Sequence, residues 1–212
     1  MNYTQEQISE IVLKVLKEVN APNLSLEEKL ELAKNPNTSV ETLKVLSTDK
    51  QWNVRYWVAQ NPSTSVETLK VLATDENITV RCVVAQNPNI SVEILKVLAT
   101  DNEWSVRCKV AQNPSTSVET LKVLSTDKDY NVRYWVAKNP NTPIEILKVL
   151  ATDNDWNVRY YVAANPNYKI KNLELTSIQY DALKTLLKSS QVETLKNLTL
   201  EELAQGHSTD AP

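Results

Sequence analysis

Glycine occurs once in this chain of 212 residues, histidine once, methionine once, cysteine twice and phenylalanine not at all. Each scarcity removes a class of chemistry. Gly-rich phosphate loops need several glycines so that the backbone can approach the anion, which excludes Rossmann and P-loop sites. The single histidine, His207, rules out His-based triads and multi-His metal centres. No stretch approaches the ~18 apolar residues of a membrane span. The opening MNYTQEQISEIVLK lacks the basic region and apolar run of a signal peptide. Charge is nearly balanced, with 23 Lys+Arg against 26 Asp+Glu for a net −3. Duplex-binding proteins carry a strong basic excess, so nucleic acid is disfavoured as the main partner. The expectation from these absences is a cytoplasmic chain with no cofactor, no metal and no contact with the membrane.

What is present is a repeat. Asn-Pro stands at 35–36, 61–62, 87–88, 113–114, 139–140 and 165–166, always 26 residues apart. Five units follow, 36–61, 62–87, 88–113, 114–139 and 140–165, without insertion or deletion. A constant period of this length signals a stack of supersecondary units.

Each unit reads as two short helices. Thr64-Ser65-Val66-Glu67 fits a capping box, in which the Thr hydroxyl caps an early amide and Glu reaches back. The pattern recurs at Thr38/Glu41, Thr116/Glu119 and Thr142/Glu145, the last with Pro143 at the favoured first helical position. The third unit has Ile90 in the Thr slot and relies on Ser91. Helix A then runs from about Val66 to Ala73. Val66, Leu69, Leu72 and Ala73 share its inward face, and Glu67 and Lys70 mark an exposed edge, as do Glu41 and Lys44 in the first unit. Asp75 follows in the turn, placed to cap helix B.

Helix B is WNVRYWVAQ in the first unit and ends before Asn-Pro, because the residue before proline avoids the helical region. On a helical wheel Val54, Arg55, Val58 and Ala59, the constant positions, share one arc. Asn53, Tyr56, Trp57 and Gln60, where the units differ, share the other. A strand over VRYWV is the rival reading, but strand-and-turn repeats need Gly at their bends and these units have none.

The ends are read as caps, which repeat arrays need to cover their apolar end faces. Residues 1–35 supply an amphipathic helix at 4–19 and a segment, Leu24–Lys34, that aligns with helix B of a missing unit. Residues 166–206 supply helices at 177–188 and 192–198 and a capped turn at 199–205, stopped by Gly206. Residues 207–212 are expected to be a disordered tail.

Asn139, Pro140, Thr142, Glu145, Leu147, Leu150, Ala151, Asp153, Val158, Arg159, Val162 and Ala163 together resemble the repeat of the leucine-rich repeat variant family, and the match covers 36–165. The resemblance implies an all-α, single-domain, right-handed superhelix of short helices without a sheet, the second helix of each unit being 3₁₀ in part. The Asp…Val-Arg spacing is also similar to HEAT repeats. A family member carries an iron–sulfur cluster on cysteines ahead of its repeats. The first cysteine here is Cys82, so that cofactor does not carry over.

Candidate sites follow from the repeat. Asp49, Asp75, Asp101, Asp127 and Asp153 are each followed six residues on by Arg55, Arg81, Arg107, Arg133 and Arg159. These arginines would form an anion track or, the favoured reading, a structural ladder neutralised by an Asp of the same or an adjoining unit, since a buried guanidinium requires a partner. Cys82 and Cys108 share one slot in consecutive units. Packed helices lie roughly 8–10 Å apart and a disulfide needs Cα atoms within about 7 Å, so both are expected to be free thiols. Trp52, Ile78, Trp104, Tyr130 and Trp156 open helix B beside the inward arc and read as a stacked core ladder. The outward arc offers a partner-binding strip: Tyr56, Trp57, Val83, Lys109, Tyr134, Trp135, Tyr160 and Tyr161. The rival is that these rings pack against the next unit's helix B.

No set of residues reads as catalytic, because every recurring carboxylate occupies a structural slot. The leading function is a non-enzymatic protein- or peptide-binding scaffold that uses the concave helix-B surface, with a small-molecule ligand disfavoured. Two alternatives stand beside it. One is a HEAT-like nucleic-acid binder, for which Lys109 and Lys138 are the lysines on the variable arc. In the other, Leu198-Thr199-Leu200-Glu201-Glu202-Leu203 with Gly206 resembles the end of a leader for a ribosomally made modified peptide, with a core after Gly206.

Overall fold

A computed structural model describes residues 24–168, nearly all in the first of the two units into which the chain divides at Asn165. The helices expected at 4–19, 177–188 and 192–198, the turn at 199–205, Gly206 and the tail 207–212 lie outside the described residues. Regular structure among the described residues is helical throughout. A leading helix α1 (Leu26–Lys34) precedes the repeats. The A helices are α2 (Val40–Leu46), α4 (Val66–Leu72), α6 (Val92–Leu98), α8 (Val118–Leu124) and α10 (Ile144–Leu150). The B helices are α3 (Trp52–Gln60), α5 (Ile78–Val84), α7 (Trp104–Gln112), α9 (Tyr130–Lys138) and α11 (Trp156–Ala164).

A seven-residue helix is too short to hold itself in water, so caps and packing must hold it. Serine, not threonine, is the cap. Ser65 Oγ accepts from the Thr68 amide at 3.2 Å, and Ser39, Ser91 and Ser117 repeat the bond. Ser65 is extended and immediately precedes the first helical residue, which is the geometry a cap needs. Thr64 is instead buried, and its hydroxyl donates to the Val58 carbonyl at 2.6 Å. It ties down the end of the preceding helix B. Pro143 likewise stands at the cap, without a side-chain bond, and Ile144 is the first helical residue. A capping box does form in α1, between Ser25 and Glu28.

The buried face of helix A consists of Thr68, Leu69, Leu72 and Ala73. Val66 is exposed, against expectation, as are Val40, Val92 and Val118. As the first helical residue, each leans back along the axis, beyond the contact with helix B. From helix B, Val54, Val58 and Ala59 complete the core with no exposure. Each B helix packs against the B helix of the next unit, beginning with α1 on α3, whereas no two A helices are among the stronger contacts. Bonds of 3₁₀ type tighten helix ends, as where the Gln86 and Asn87 amides reach Val83 and Val84 after the shorter α5.

Asparagine explains the constancy of Asn-Pro. Asn61 is 3% exposed, and its Nδ2 donates to the Ala33 and Asn35 carbonyls of the preceding element at 2.8 and 2.9 Å. Its Oδ1 accepts from the Ser63 amide of its own turn. One short side chain with two donors and an acceptor serves both units at once. Asn87, Asn113, Asn139 and Asn165 repeat the bond to an alanine carbonyl 28 residues back. Among the described residues, no buried side-chain nitrogen or oxygen lacks a partner.

Candidate functional site

Helix B carries two surfaces of opposite character. On the inward arc, Arg107 donates from Nε and Nη2 to the two oxygens of Asp127, at 2.6 and 2.9 Å, in a bidentate fork. Its Nη1 turns back to the carbonyls of Asp101 and Asn102. Arg55–Asp75, Arg81–Asp101 and Arg133–Asp153 repeat this geometry. Each guanidinium therefore takes the carboxylate of the following unit and the backbone of its own. At the start of the array Lys29 fills the arginine slot and meets Asp49 at 2.8 Å. Burial alone would raise the Asp101 and Asp127 carboxyls, but the arginine hydrogen bonds and the loop amides outweigh it and hold both below the ordinary range. For Asp153 the Arg133 bond is the leading cause of the same lowering. Forks so occupied cannot form an anion track.

Arg159 is the exception. The residue 26 positions after Asp153 is Gln179, outside the described residues. Arg159 is exposed, and its Nη1 bonds the Asp153 and Asn154 carbonyls, with no carboxylate in reach among the described residues.

On the outward arc the aromatic residues gather in two clusters. In the first, Trp52 and Tyr56 meet edge to face at 6.4 Å, Tyr56 and Trp57 at 5.2 Å, and the Lys34 ammonium lies 4.7 Å over the Trp57 ring. In the second, Tyr134 meets Trp135 at 5.1 Å and Tyr161 of the next unit at 4.6 Å, and Tyr160 meets Tyr161 at 5.2 Å. Lys138 sits over three of these rings, 4.7 Å from Trp135, 5.2 Å from Tyr161 and 5.8 Å from Tyr134. Edge-to-face pairs and a cation over a ring face both follow the ring quadrupole. A hydrogen bond with Tyr134 raises the Tyr161 phenol above its usual value. The rings thus pack on neighbours and still face solvent: Tyr56, Trp57, Tyr134, Trp135 and Tyr161 are half-buried, and Tyr160 is exposed.

The central units break the strip. Val83 and Lys109 are half-buried, and Lys109 reaches Gln112 Oε1 at 3.4 Å. Cys82 Sγ lies 3.8 Å from Ser105 Oγ, and both cysteines are free. Burial pushes the Cys108 thiol up to about 12, so it stays protonated and unreactive.

The row at the start of helix B departs from expectation. Trp52, Ile78, Trp104, Tyr130 and Trp156 are 46, 42, 47, 46 and 64% exposed, so they form no core ladder. As first helical residues they project past the packed face, like Val66 in helix A. The sequence places Lys138 on the variable arc, but not over the rings, and does not single out Lys34. Their signal is positional: Lys34 and Lys138 each precede Asn-Pro, where Gln60, Gln86, Gln112 and Ala164 stand elsewhere.

Among the described residues no group of three or more His, Cys, Asp and Glu could hold a metal, and no helix is long and apolar enough to cross a membrane. An open depression lined by Thr48, Asp49, Lys50, Arg55, Asp75 and Glu76 lies over the Arg55 rung, whose charges are already paired. Neither a protein-family model nor a curated protein matches the sequence. Among solved structures, the chain is similar to one described as "a leucine-rich repeat variant with a novel repetitive protein structural motif", at 22% identity and a TM-score of 0.41, over 84% of this chain and 80% of that one.

Proposed function

We propose that this chain is a non-enzymatic scaffold that binds a protein or peptide partner along the outward arc of its B helices. The observation that carries this reading is the pair of aromatic–lysine clusters, one around Trp57 and one around Trp135. Edge-to-face contacts already order the rings, so little side-chain entropy remains to be lost on binding. Tryptophan, tyrosine and arginine dominate interface hot spots, and these rings keep exposed faces. The closer approach of B helices than of A helices supports the strip as the inner, concave side of the array. Lys109 and Lys138 favour a partner whose apolar anchors are flanked by acidic residues.

The test is a display library of peptides selected on the wild-type chain and rebound to a Trp57→Ala/Trp135→Ala variant. Loss of hot-spot rings costs about 2 kcal/mol or more, so selected peptides should bind at least tenfold more weakly. Unchanged affinity sinks the strip as the binding surface.

A further inference from the structure

The exposed row that opens the B helices lies outside the core and, Trp52 apart, outside the aromatic clusters of the strip. Trp52, Ile78, Trp104, Tyr130 and Trp156 are a large apolar residue at one solvent-facing slot in five successive units. Only Trp52 reaches the strip, through its edge contact with Tyr56. Large aromatic side chains carry about 150–250 Å² each. With roughly half exposed, the row presents on the order of 500 Å², near the top of what monomers leave uncovered. Together with a polar rim, it approaches the ~800 Å² per partner of a stable interface.

We infer that this row is the interface of an antiparallel homodimer whose two-fold axis passes beside Trp104. A two-fold interface must be self-complementary, and reversing the order Trp-Ile-Trp-Tyr-Trp keeps tryptophan at both ends and at the centre and sets Ile against Tyr, an apolar residue against an apolar residue at every slot. Trp52 of one copy meets Trp156 of the other, Ile78 meets Tyr130, and the two Trp104 rings meet at the axis. The charges beside the row fit the same pairing. Two residues before each member of the row stand Lys50, Glu76, Asn102, Lys128 and Asn154. Reversal sets Glu76 against Lys128 twice, and Lys50 beside the Asn154-Asp155 end. A parallel pairing would set Lys50, Glu76 and Lys128 each against its own kind, and like charges in juxtaposition are costly. The Glu76 side chain is 86% exposed, although one oxygen lies 3.3 Å from Arg55. Glu103 is the like-charge pair left at the axis.

Sedimentation equilibrium on the full chain, from about 1 to 100 µM, spans the affinity expected of a modest interface. The expected result is a concentration-dependent dimer. Trp104→Arg should leave a monomer with an unchanged helical circular dichroism spectrum. Trp104→Gln is the gentler variant and should weaken association at least tenfold. Glu76→Lys should weaken it, and adding Lys128→Glu should restore it. Glu103→Gln should tighten it. A monomer over the whole range overturns the inference, as does a dimer indifferent to both Trp104 variants or a charge swap that fails to restore association. Peptide binding by the strip is read separately, so failure here leaves the proposed function standing.

Discussion

The two arcs of helix B differ in what a substitution would cost. On the inward arc Val, Arg, Val and Ala recur without change: in the first four units Val and Ala are fully buried, where a misfit is felt, and Arg grips the aspartate of the next unit. On the outward arc the same helix carries Tyr-Trp, Cys-Val, Cys-Lys, Tyr-Trp and Tyr-Tyr in successive units. Apart from the buried Cys108, those side chains are half-buried or exposed, so packing constrains them less. Constancy within one chain therefore marks the positions that join repeats. Variation marks the surface that faces solvent, where we place the proposed partner.

The contrast can be broken from the inward side first. Arg107→Leu leaves Asp127 buried without its fork, and removing one partner of a buried pair costs about 3 kcal/mol or more. Urea denaturation should show the loss, and Arg107→Leu with Asp127→Leu should recover much of it. Asn113→Ala removes the bonds to the Ala85 carbonyl and the Ser115 amide and should cost about 2 kcal/mol in the same measurement.

Acid should weaken the ladder as a whole. Asp101, Asp127 and Asp153 titrate below their ordinary value in the fold. A depressed native value stabilises the fold above the unfolded value of about 3.9 and loses that contribution as pH falls through the native one. Thermal melts should hold steady from neutrality to about pH 5 and drop steeply below about pH 4. The smallest effect sharpens the comparison: Arg159→Ala removes an exposed rung with no fork among the described residues and should change stability by under about 0.5 kcal/mol.

Much of the fold is legible in the sequence because the repeat is strict. The 26-residue period sets the units, proline ends each helix B, and the absence of glycine speaks for helices over strands and bends. The local assignments of Thr64, Val66 and Trp52 fail for one reason: wheel and motif reasoning ignore helix ends. Thr64 looks like a cap one position too early, since only the extended residue beside the first turn can reach the amide. Trp52 looks inward by angle yet stands at the first turn, where the neighbouring helix no longer covers it. In the candidate surface, the aromatic slots were visible, but the Lys34 and Lys138 ammonium groups over the rings were not. That contact joins residues brought together only when units stack.

The sequence by itself determined the repeat length, the helical class and the division of helix B into constant and variable arcs. Those follow from periodicity and from what proline and the missing glycine forbid. Only the tertiary structure decided which aspartate each arginine grips, what asparagine binds and which apolar rows face water. These depend on how far one unit is displaced from the next, and no single unit's sequence contains that displacement.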